Sequence, residues 1–340
     1  MKIRPTTFQT TPPVSKPERA QTKSAPTPSQ GLQQTDSFQA VLSQNHVEAP
    51  TVSLTAPSPA GWGELTVEER QDNLKALQTL AQQLRDQGVP GVEIWGQLKA
   101  EAASRYANAD TPAAKKADFI IQDVTLVTVG KDALKYLKQY EGLPRLGKID
   151  PLVDTFKTDW EALGVPPKDN NWKAVGWAGH NLDTHTGEDF RPEINDKTKN
   201  QIYHTMFYEF MAYVTQDPLM VRAGSMVHEI RDGVAEGGIS DEDHNASYVG
   251  AAVGSTFREM RDGNQPDTDI KHWGAMTMAA YGKNGGPEIQ QEKAGTQAQE
   301  MHQKITHLLE NKGLIWNAEN LLIQGVDSLN QGFKRLKDIF

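Results

Sequence analysis

The sequence predicts a mainly α-helical fold, with a multi-helix body preceded by a disordered N-terminal leader. After residue 60, apolar residues recur at steps of three and four, and Gly or Pro separates the segments that show this period. Before residue 60 the period is missing, and Pro, Ser, Thr and Gln make up most of the chain. A segment of that composition buries too little apolar surface to offset its conformational entropy. We therefore expect residues 1–60 to be disordered.

The leader is rich in proline and mildly basic. Nine of the nineteen prolines lie in it, and it carries five basic against three acidic residues. Because the formal net charge of the whole chain is −9, the remaining body is acidic. Binding along a phosphate backbone needs clustered Lys and Arg side chains. We therefore expect no nucleic-acid partner.

The leader also lacks the features of two common targeting segments. It has no apolar core of roughly 7–15 residues, which a Sec-type signal peptide needs. The chain has no run of about 18 apolar residues, so we expect no transmembrane segment. A polar, Pro-rich and acid-poor N-terminus suits export by a specialised bacterial route, with secretion machinery or a chaperone as partner and a target cell as destination. The alternative is a flexible extension on a cytoplasmic protein.

Cysteine is absent from the chain. That composition excludes disulfides, thiolate metal ligands and a cysteine nucleophile. A metal or acid–base site in this protein must therefore be built from groups such as imidazole and carboxylate.

Residues 61–163 predict an N-terminal helical part. Thr66 and Glu69 have the spacing of a capping box, and the leucines that follow recur at helical steps. Gly88 and Pro90 end this first helix. A second helix is expected at 92–106, and Thr111-Pro112 opens a third, because Pro suits the first helical turn.

The remainder of this part is less uniform. The segment 119–129 has the β-branched content of a strand but lies between helical patterns, so a strand and a buried helix both stay open. Two further helices are expected at 131–140 and 152–163.

Residues 164–290 predict a long loop followed by three helices. The loop, 164–195, is rich in Gly, Pro, Asn and Asp, and loops of that length are usually functional or mobile. The helices are expected at 196–215, 218–231 and 241–261.

Small residues mark one face of the third of these helices. Gly250 and Gly254 lie four residues apart, so they share a face and allow a neighbouring backbone to come close. Ser240 and Asp243 have the spacing of a second capping box at the start of the same helix.

Polar side chains on the three helices predict a functional site. Imidazole, carboxylate and amide groups at this density are typical of a metal site or an acid–base site. The candidates are His204, His228, Glu229, Asp241, His244 and Asn245. Of these, His204, His228 and His244 with one carboxylate would satisfy a hydrolytic site for zinc or another divalent metal, which needs about three protein ligands and an open position.

Two other interpretations of these residues stay open. In a metal-free site, one histidine is the general base, and Glu229 or Asp241 orients it. In a structural interpretation, the same groups hydrogen-bond one helix to the next within a polar core. The two catalytic interpretations require the three helices to converge.

A second polar cluster lies on the predicted loop. Its members are His180, Asp183, His185, Glu188 and Asp189. They fit a metal-binding or substrate-facing loop, but Asn, Asp, Gly and Thr are also ordinary turn residues, which favours solvated turns.

The C-terminal part, residues 291–340, ends in a predicted amphipathic helix. Apolar residues there alternate steps of four and three, which is a heptad seam: Leu322, Val326, Leu329, Phe333, Leu336 and Phe340. The simplest interpretation is a terminal helix docked on the body. Self-association, a protein partner or contact with a membrane surface through 322–340 is the alternative.

The ordered set of site residues resembles a known helical domain. The set begins with His204 followed by Phe207, continues with His228-Glu229, and ends with Asp243-His244-Asn245 and Gly250. Members of an uncharacterised domain in bacterial secreted and polymorphic-toxin-like proteins show an Arg-His-x-x-Trp helix, an Ala-His-Glu helix and a His-Asn-Asn helix followed by Gly.

The resemblance covers about residues 196–255 and departs from the pattern at four points. Gly250 comes one position late, and three residue types differ: Tyr203, Phe207 and Ala246. The resemblance implies an α-helical, effector-type domain. We therefore expect a bacterial secreted effector or toxin with a hydrolase-type site. The alternative is a non-enzymatic effector or interaction protein whose polar cluster is structural.

Overall fold

The fold is known from a computed structural model, which describes residues 58–130, 151–164, 189–195, 201–218, 221–222, 225, 241–263, 270–283 and 295–311. These residues belong to one compact unit, Pro50–Phe340. Within the described ranges the regular structure is helical and no strand is present, which confirms the mainly α prediction.

Eight α-helices fall within the described ranges. They are α1 (Val67–Asp86), α2 (Gly91–Tyr106), α3 (Ala113–Val129), α4 (Pro151–Ala162), α5 (Gln201–Thr215), α6 (Asp241–Asp262), α7 (Trp273–Tyr281) and α8 (Gly295–Glu310). None of the described helices is long and apolar enough to cross a membrane. The predicted helix 131–140, most of 218–231, the seam 322–340 and nearly all of the leader lie outside the described residues.

The starts of the first helices follow the sequence signals. At α1, the Thr66 side chain accepts from the Glu69 backbone N–H, and the Glu69 carboxylate accepts from the Thr66 backbone N–H, so the predicted capping box is confirmed. Pro112 precedes the first residue of α3. The segment 119–129, for which the sequence left a strand and a buried helix open, is helical and forms the second half of α3.

Helix α5 packs closely against α6, and this packing positions the residues of the candidate site. Gly250 lies against Tyr208, and Gly254 lies against Glu209, where an added Cβ would sit 2.1 Å from the Glu209 carbonyl oxygen. Farther along, Arg258 donates to the Tyr213 carbonyl oxygen at 3.0 Å. Contacts that advance together along both helices mean that α5 and α6 run parallel. The predicted close approach at the two glycines is confirmed.

Residues 189–195, which we call the strap, contact both α7 and α6. Phe190 pairs with Gly282 in an isolated antiparallel bridge, and the Arg191 backbone N–H donates to Tyr281 at 2.8 Å. The 3-10 turn Pro192–Ile194 then packs on α6 with Ile194 buried. The last residues of the predicted loop are thus an ordered segment, while residues 165–188 lie outside the described ranges.

A fully buried lysine–glutamate pair joins α2 to α5 and α7. Lys99 pairs with Glu209 and donates to Thr277 Oγ1 at 2.8 Å, while Tyr281 donates to the second Glu209 oxygen at 2.9 Å. The ammonium group also lies 4.7 Å from the ring centre of Trp95, as in a cation–π contact. Burial lowers the pKa of Lys99, against the attraction of Glu209. These bonds satisfy groups that would be costly if they were buried alone.

A second buried network joins the first three helices to α4. Arg70 pairs with Asp123, to which Tyr106 also donates, and Arg70 donates to Gln122 at 3.0 Å. On α4, Asp159 accepts from Lys115, Gln122 and Trp62, each at 2.7 Å. Because these polar atoms are used in bonds between helices and are buried, we assign the network a structural role.

Candidate functional site

His204 and Asp243 meet where α5 and α6 begin. The Nδ1 atom of His204 lies 3.3 Å from Oδ1 of Asp243. Both side chains are partly exposed, by 22% and 13% respectively. Where such a carboxylate hydrogen-bonds one ring nitrogen, it fixes the tautomer and orientation of the imidazole and directs the other nitrogen to proton transfer. Together they form a partly exposed His–Asp dyad.

The packing of α5 on α6 explains why these two residues meet. Asp243 lies seven residues, or two helical turns, before Gly250, so it occupies the helix face that packs on α5. It also lies in the acidic first turn of α6, where the helix dipole favours a carboxylate. His204 lies in the first turn of α5, the parallel neighbour. The packing of Gly250 and Gly254 on α5 therefore fixes the register that brings the dyad together.

His244 and Asn245 point into the protein rather than to solvent. The His244 side chain is 1% exposed, and its ring packs edge-on against Tyr248 at 5.2 Å between centroids. Asn245 Nδ2 donates to the Glu193 carbonyl oxygen of the strap at 2.5 Å. The Asn245 bond ties the first turns of α6 to the strap, whereas His244 and Tyr248 both belong to α6.

The chain between α5 and α6 contributes further polar groups next to the dyad. Ser225 Oγ donates to the hydroxyl of Tyr208 at 3.0 Å, one turn along α5 from His204. The Arg222 guanidinium lies 5.0 Å from the ring centre of Tyr248. Arg222 and Ser225 therefore lie close to the two helices that carry the dyad.

The structure places the predicted site residues in different environments and leaves some of them outside the described ranges. His204 belongs to the dyad, but its partner is Asp243 and not Asp241, which is exposed at the first position of α6. His228 and Glu229 lie outside the described residues. The predicted convergence of three histidines therefore stays a prediction.

The predicted metal site of His204, His228 and His244 also stays a prediction. Among the residues that the structure describes, no group of three or more His, Asp or Glu side chains is positioned to hold a metal ion. His204 and Asp243 would supply two ligands, and the predicted His228 would have to supply another.

Only one member of the loop cluster is described. Asp189 Oδ2 accepts from the backbone N–H of Gly91 at 3.0 Å, at the first residue of α2. A carboxylate at a helix N-terminus satisfies an otherwise unpaired donor. Asp189 therefore has a structural role, whereas His180, Asp183, His185 and Glu188 lie outside the described residues.

Sequence reasoning assigned Asp243 to helix capping and missed its place beside His204. A signal for that place was present in the chain. Asp243, Gly250 and Gly254 fall on one helical face, so a neighbour that packs on the glycines also meets the aspartate. The predicted capping partner, Ser240, lies outside the described residues.

The chain matches no protein-family model, no curated protein and no solved structure.

Proposed function

We propose that this protein is a hydrolase-type effector or toxin in which His204 acts as the general base and Asp243 orients it. The observation that supports this most directly is the 3.3 Å contact between His204 Nδ1 and Asp243 Oδ1 in a partly exposed position. A general base must reach both its orienting group and its substrate. Among the predicted histidines within the described residues, His204 has both a carboxylate neighbour and an exposed fraction, whereas His244 is buried, which supports His204 as the base.

The proposed step is proton abstraction by the imidazole. With the Nδ1 proton on the side of the Asp243 carboxylate, Nε2 carries the lone pair that accepts a proton from water. The resulting hydroxide attacks an electrophilic carbon or phosphorus, and the imidazolium returns the proton to the leaving group. The Asp243 carboxylate stabilises the imidazolium formed between these two steps. General-base catalysis of this kind typically contributes ~10²–10⁴-fold in rate.

The metal-dependent version of this site rests on His228. If His228 joins His204 and a carboxylate, the three ligands would leave an open position at which a divalent metal activates water. Metal content of the purified protein distinguishes the two versions. One equivalent of zinc that is lost in both His204→Asn and His228→Asn supports the metal site, and no retained metal supports the metal-free base.

Delivery by a specialised export route is part of the proposal. The composition of residues 1–60 supports it, as does the resemblance of residues 196–255 to a domain of bacterial secreted and polymorphic-toxin-like proteins. The alternative location is the cytoplasm, with the leader as a flexible extension.

The proposal predicts that His204→Asn and Asp243→Asn abolish growth inhibition when the protein is expressed in the target compartment. Each change removes proton transfer or its orientation from a partly exposed side chain. Denaturant unfolding should therefore change by no more than about 0.5 kcal/mol. The matched control is His307→Asn, an exposed histidine on α8 that should keep full potency. Stable dyad variants that inhibit growth as strongly as the natural protein would refute the catalytic role.

The second candidate function is a non-enzymatic effector whose polar residues are structural. The burial of His244 and the bond from Asn245 to Glu193 favour it. In that case dyad variants keep their potency, whereas His244→Ala and Asn245→Ala lose potency only in step with stability, at roughly 1–3 kcal/mol for each buried group left unsatisfied.

A further inference from the structure

Among the described residues two glutamines are fully buried, and their amides differ in how they are bonded. Gln122 on α3 accepts from Arg70 at 3.0 Å through Oε1 and donates to Asp159 at 2.7 Å through Nε2. Gln201 is the first residue of α5 and is 0% exposed. Within the part of the chain that the structure describes, neither its Oε1 nor its Nε2 has a hydrogen-bond partner. Bonds between helices therefore account for the amide of Gln122, but not for that of Gln201.

Gln201 lies beside the His–Asp dyad. It comes three residues before His204, so the two side chains share one face of α5. One turn after Gln201, the carbonyl oxygen of Thr205 approaches Gly250, which lies two turns after Asp243 on α6. Long helical side chains are directed towards the helix N-terminus, which is also the end at which the parallel helix α6 begins. The unbonded amide therefore belongs to the same end of the two helices as the dyad.

An unbonded amide in this position costs stability, because its hydrogen bonds to water are lost and not replaced. The backbone of Gln201 does not share this cost, since its carbonyl oxygen accepts from Thr205 Oγ1 at 2.7 Å. Buried polar groups are normally hydrogen-bonded, so an exception points to a role outside the packing. Opening of the start of α5 returns hydrogen bonds to the amide, so the same group lowers the free energy that local opening requires.

The amide of Gln201 suits a ligand that offers a donor and an acceptor together. Its Oε1 accepts and its Nε2 donates. An extended peptide presents the N–H and the carbonyl oxygen of one residue on the same side, so both can bond to one side-chain amide. Nucleobases offer similar pairs, but nucleotides carry phosphate, and the first turn of α6 holds three carboxylates: Asp241, Glu242 and Asp243. These carboxylates repel an anion, so a peptide that is not anionic fits this end of the helices best.

We propose that Gln201 binds the backbone of a peptide substrate beside His204, and that the substrate enters when the start of α5 opens. This inference rests on the proposed function and names its substrate class. In the open form the amide bonds to the N–H and carbonyl oxygen of one substrate residue, which holds a neighbouring peptide carbonyl near His204. Water then adds across that peptide bond: His204 takes the proton from the water and returns it to the departing amine, leaving a carboxylate.

The substitution Gln201→Met separates a binding role from a structural one. Methionine resembles glutamine in shape and needs no hydrogen bonds. The variant should melt about 2–4 °C higher than the natural protein, because an unsatisfied group is removed, and it should lose growth inhibition. The matched control is Gln122→Met, which breaks the bonds to Arg70 and Asp159 and should melt lower. A Gln201→Met protein that melts lower or fails to fold overturns the proposal, because the amide would then stabilise the fold.

Hydrogen exchange tests the opening. Peptides that cover residues 201–208 should exchange about tenfold more slowly in Gln201→Met than in the natural protein, since the variant no longer gains hydrogen bonds when the helix start opens. Peptides from α1, remote in sequence, serve as the internal reference. Equal exchange in the two proteins would show that Gln201 does not govern opening, and the entry route would be refuted.

NMR of the Gln201 side chain measures peptide binding directly. Its Nε2 signal is identified by its absence from the spectrum of Gln201→Met. Addition of N-acetylalanine N-methylamide, a neutral compound built of peptide groups, should shift this signal, whereas dimethyl phosphate should not. In Gln201→Met, binding of the same compound, followed at backbone amides of α5, should weaken about tenfold. A Gln201 signal that the peptide compound does not move, or that dimethyl phosphate moves equally, overturns the peptide site.

The variant His204→Asn separates this inference from the proposed function. It removes the base but leaves Gln201 in place, so the peptide compound should still shift the Gln201 signal while growth inhibition is lost. Retained inhibition together with a retained shift would refute the base and leave the peptide site standing. Lost inhibition without any shift would support the base and refute the peptide site.

Discussion

Buried charges in this protein differ in how they are compensated. Lys99 and Arg70 each face a carboxylate inside the core, whereas Arg191 faces carbonyl, hydroxyl and imidazole groups. Replacing a paired buried charge by an apolar residue is often tolerated, but removing one partner alone costs about 3–5 kcal/mol because the other charge is left unpaired. The Lys99 and Arg70 pairs therefore serve stability, whereas Arg191 is held by carbonyl, hydroxyl and imidazole groups.

At this scale, alkaline titration gives a prediction. Three of the eight tyrosines, Tyr106, Tyr213 and Tyr281, are buried and donate to carboxylates. Burial raises the pKa of each of these phenols, and the neighbouring carboxylate raises it further. An exposed phenol ionises near pH 10. We expect absorbance near 295 nm to show three tyrosines that stay protonated past that pH until the protein unfolds.

The sign of the linked stability change follows from these raised pKa values. Below about pH 10 the phenols are protonated in both states, so their contribution is complete. Above that pH the unfolded chain loses these protons first, and the free energy of unfolding falls. The lowered pKa of Lys99 acts in the opposite direction, but it is one group against three. Tyr281→Phe should make the decline shallower. Eight tyrosines that ionise together in the folded protein would contradict the prediction.

At the scale of elements, capping residues and glycine spacing predicted the structure, whereas β-branched content did not. Capping residues and glycine spacing predicted the start of α1 and the close approach of α6, because both signals act locally or on one face. The β-branched segment of α3 stayed undecided. From Lys115 to Val129 that helix is buried all round, so it has no polar face to reveal the helical period, and tertiary burial overrides β-propensity.

The close contact of the α6 glycines with α5 gives a prediction of its own. Gly254→Ala should destabilise the protein by about 1–3 kcal/mol, because its Cβ meets backbone atoms of Glu209 and the helices must separate. The matched control is Gly295→Ala at the start of α8, where an added Cβ meets nothing within 4 Å. Urea unfolding of both variants measures the difference. The separation should also weaken growth inhibition, since it moves Asp243 away from His204. Equal stability of both variants would mean that α6 is not tightly packed on α5.

At the scale of the whole molecule, the sequence predicted the region of the candidate site better than its members. His204 was identified because an imidazole on an apolar helix is conspicuous. Its partner depended on which helix face packs on α5, and only the assembled register shows that Asp243, rather than Asp241, meets it. Arg191 and His302, whose side chains are in contact, lie more than a hundred residues apart, and neither stands in a recognisable motif. Long-range pairs of this kind require the assembled fold.

The division of the chain into leader and body gives the last prediction. Residues Pro50–Phe340 form a compact unit by themselves, and the leader has the composition of a segment that stays unfolded. Deleting residues 2–49, which are most of the leader, should therefore leave the midpoint and cooperativity of thermal unfolding unchanged. The same deletion should abolish export, since a specialised secretion machine would read the leader as its address. Purified full-length and shortened proteins are compared by calorimetry, and export is measured as the fraction of protein in the medium. Loss of cooperative unfolding would show that the leader is part of the fold. Undiminished export of a folded, shortened protein would remove the leader's role as an address and favour a cytoplasmic protein with a flexible extension.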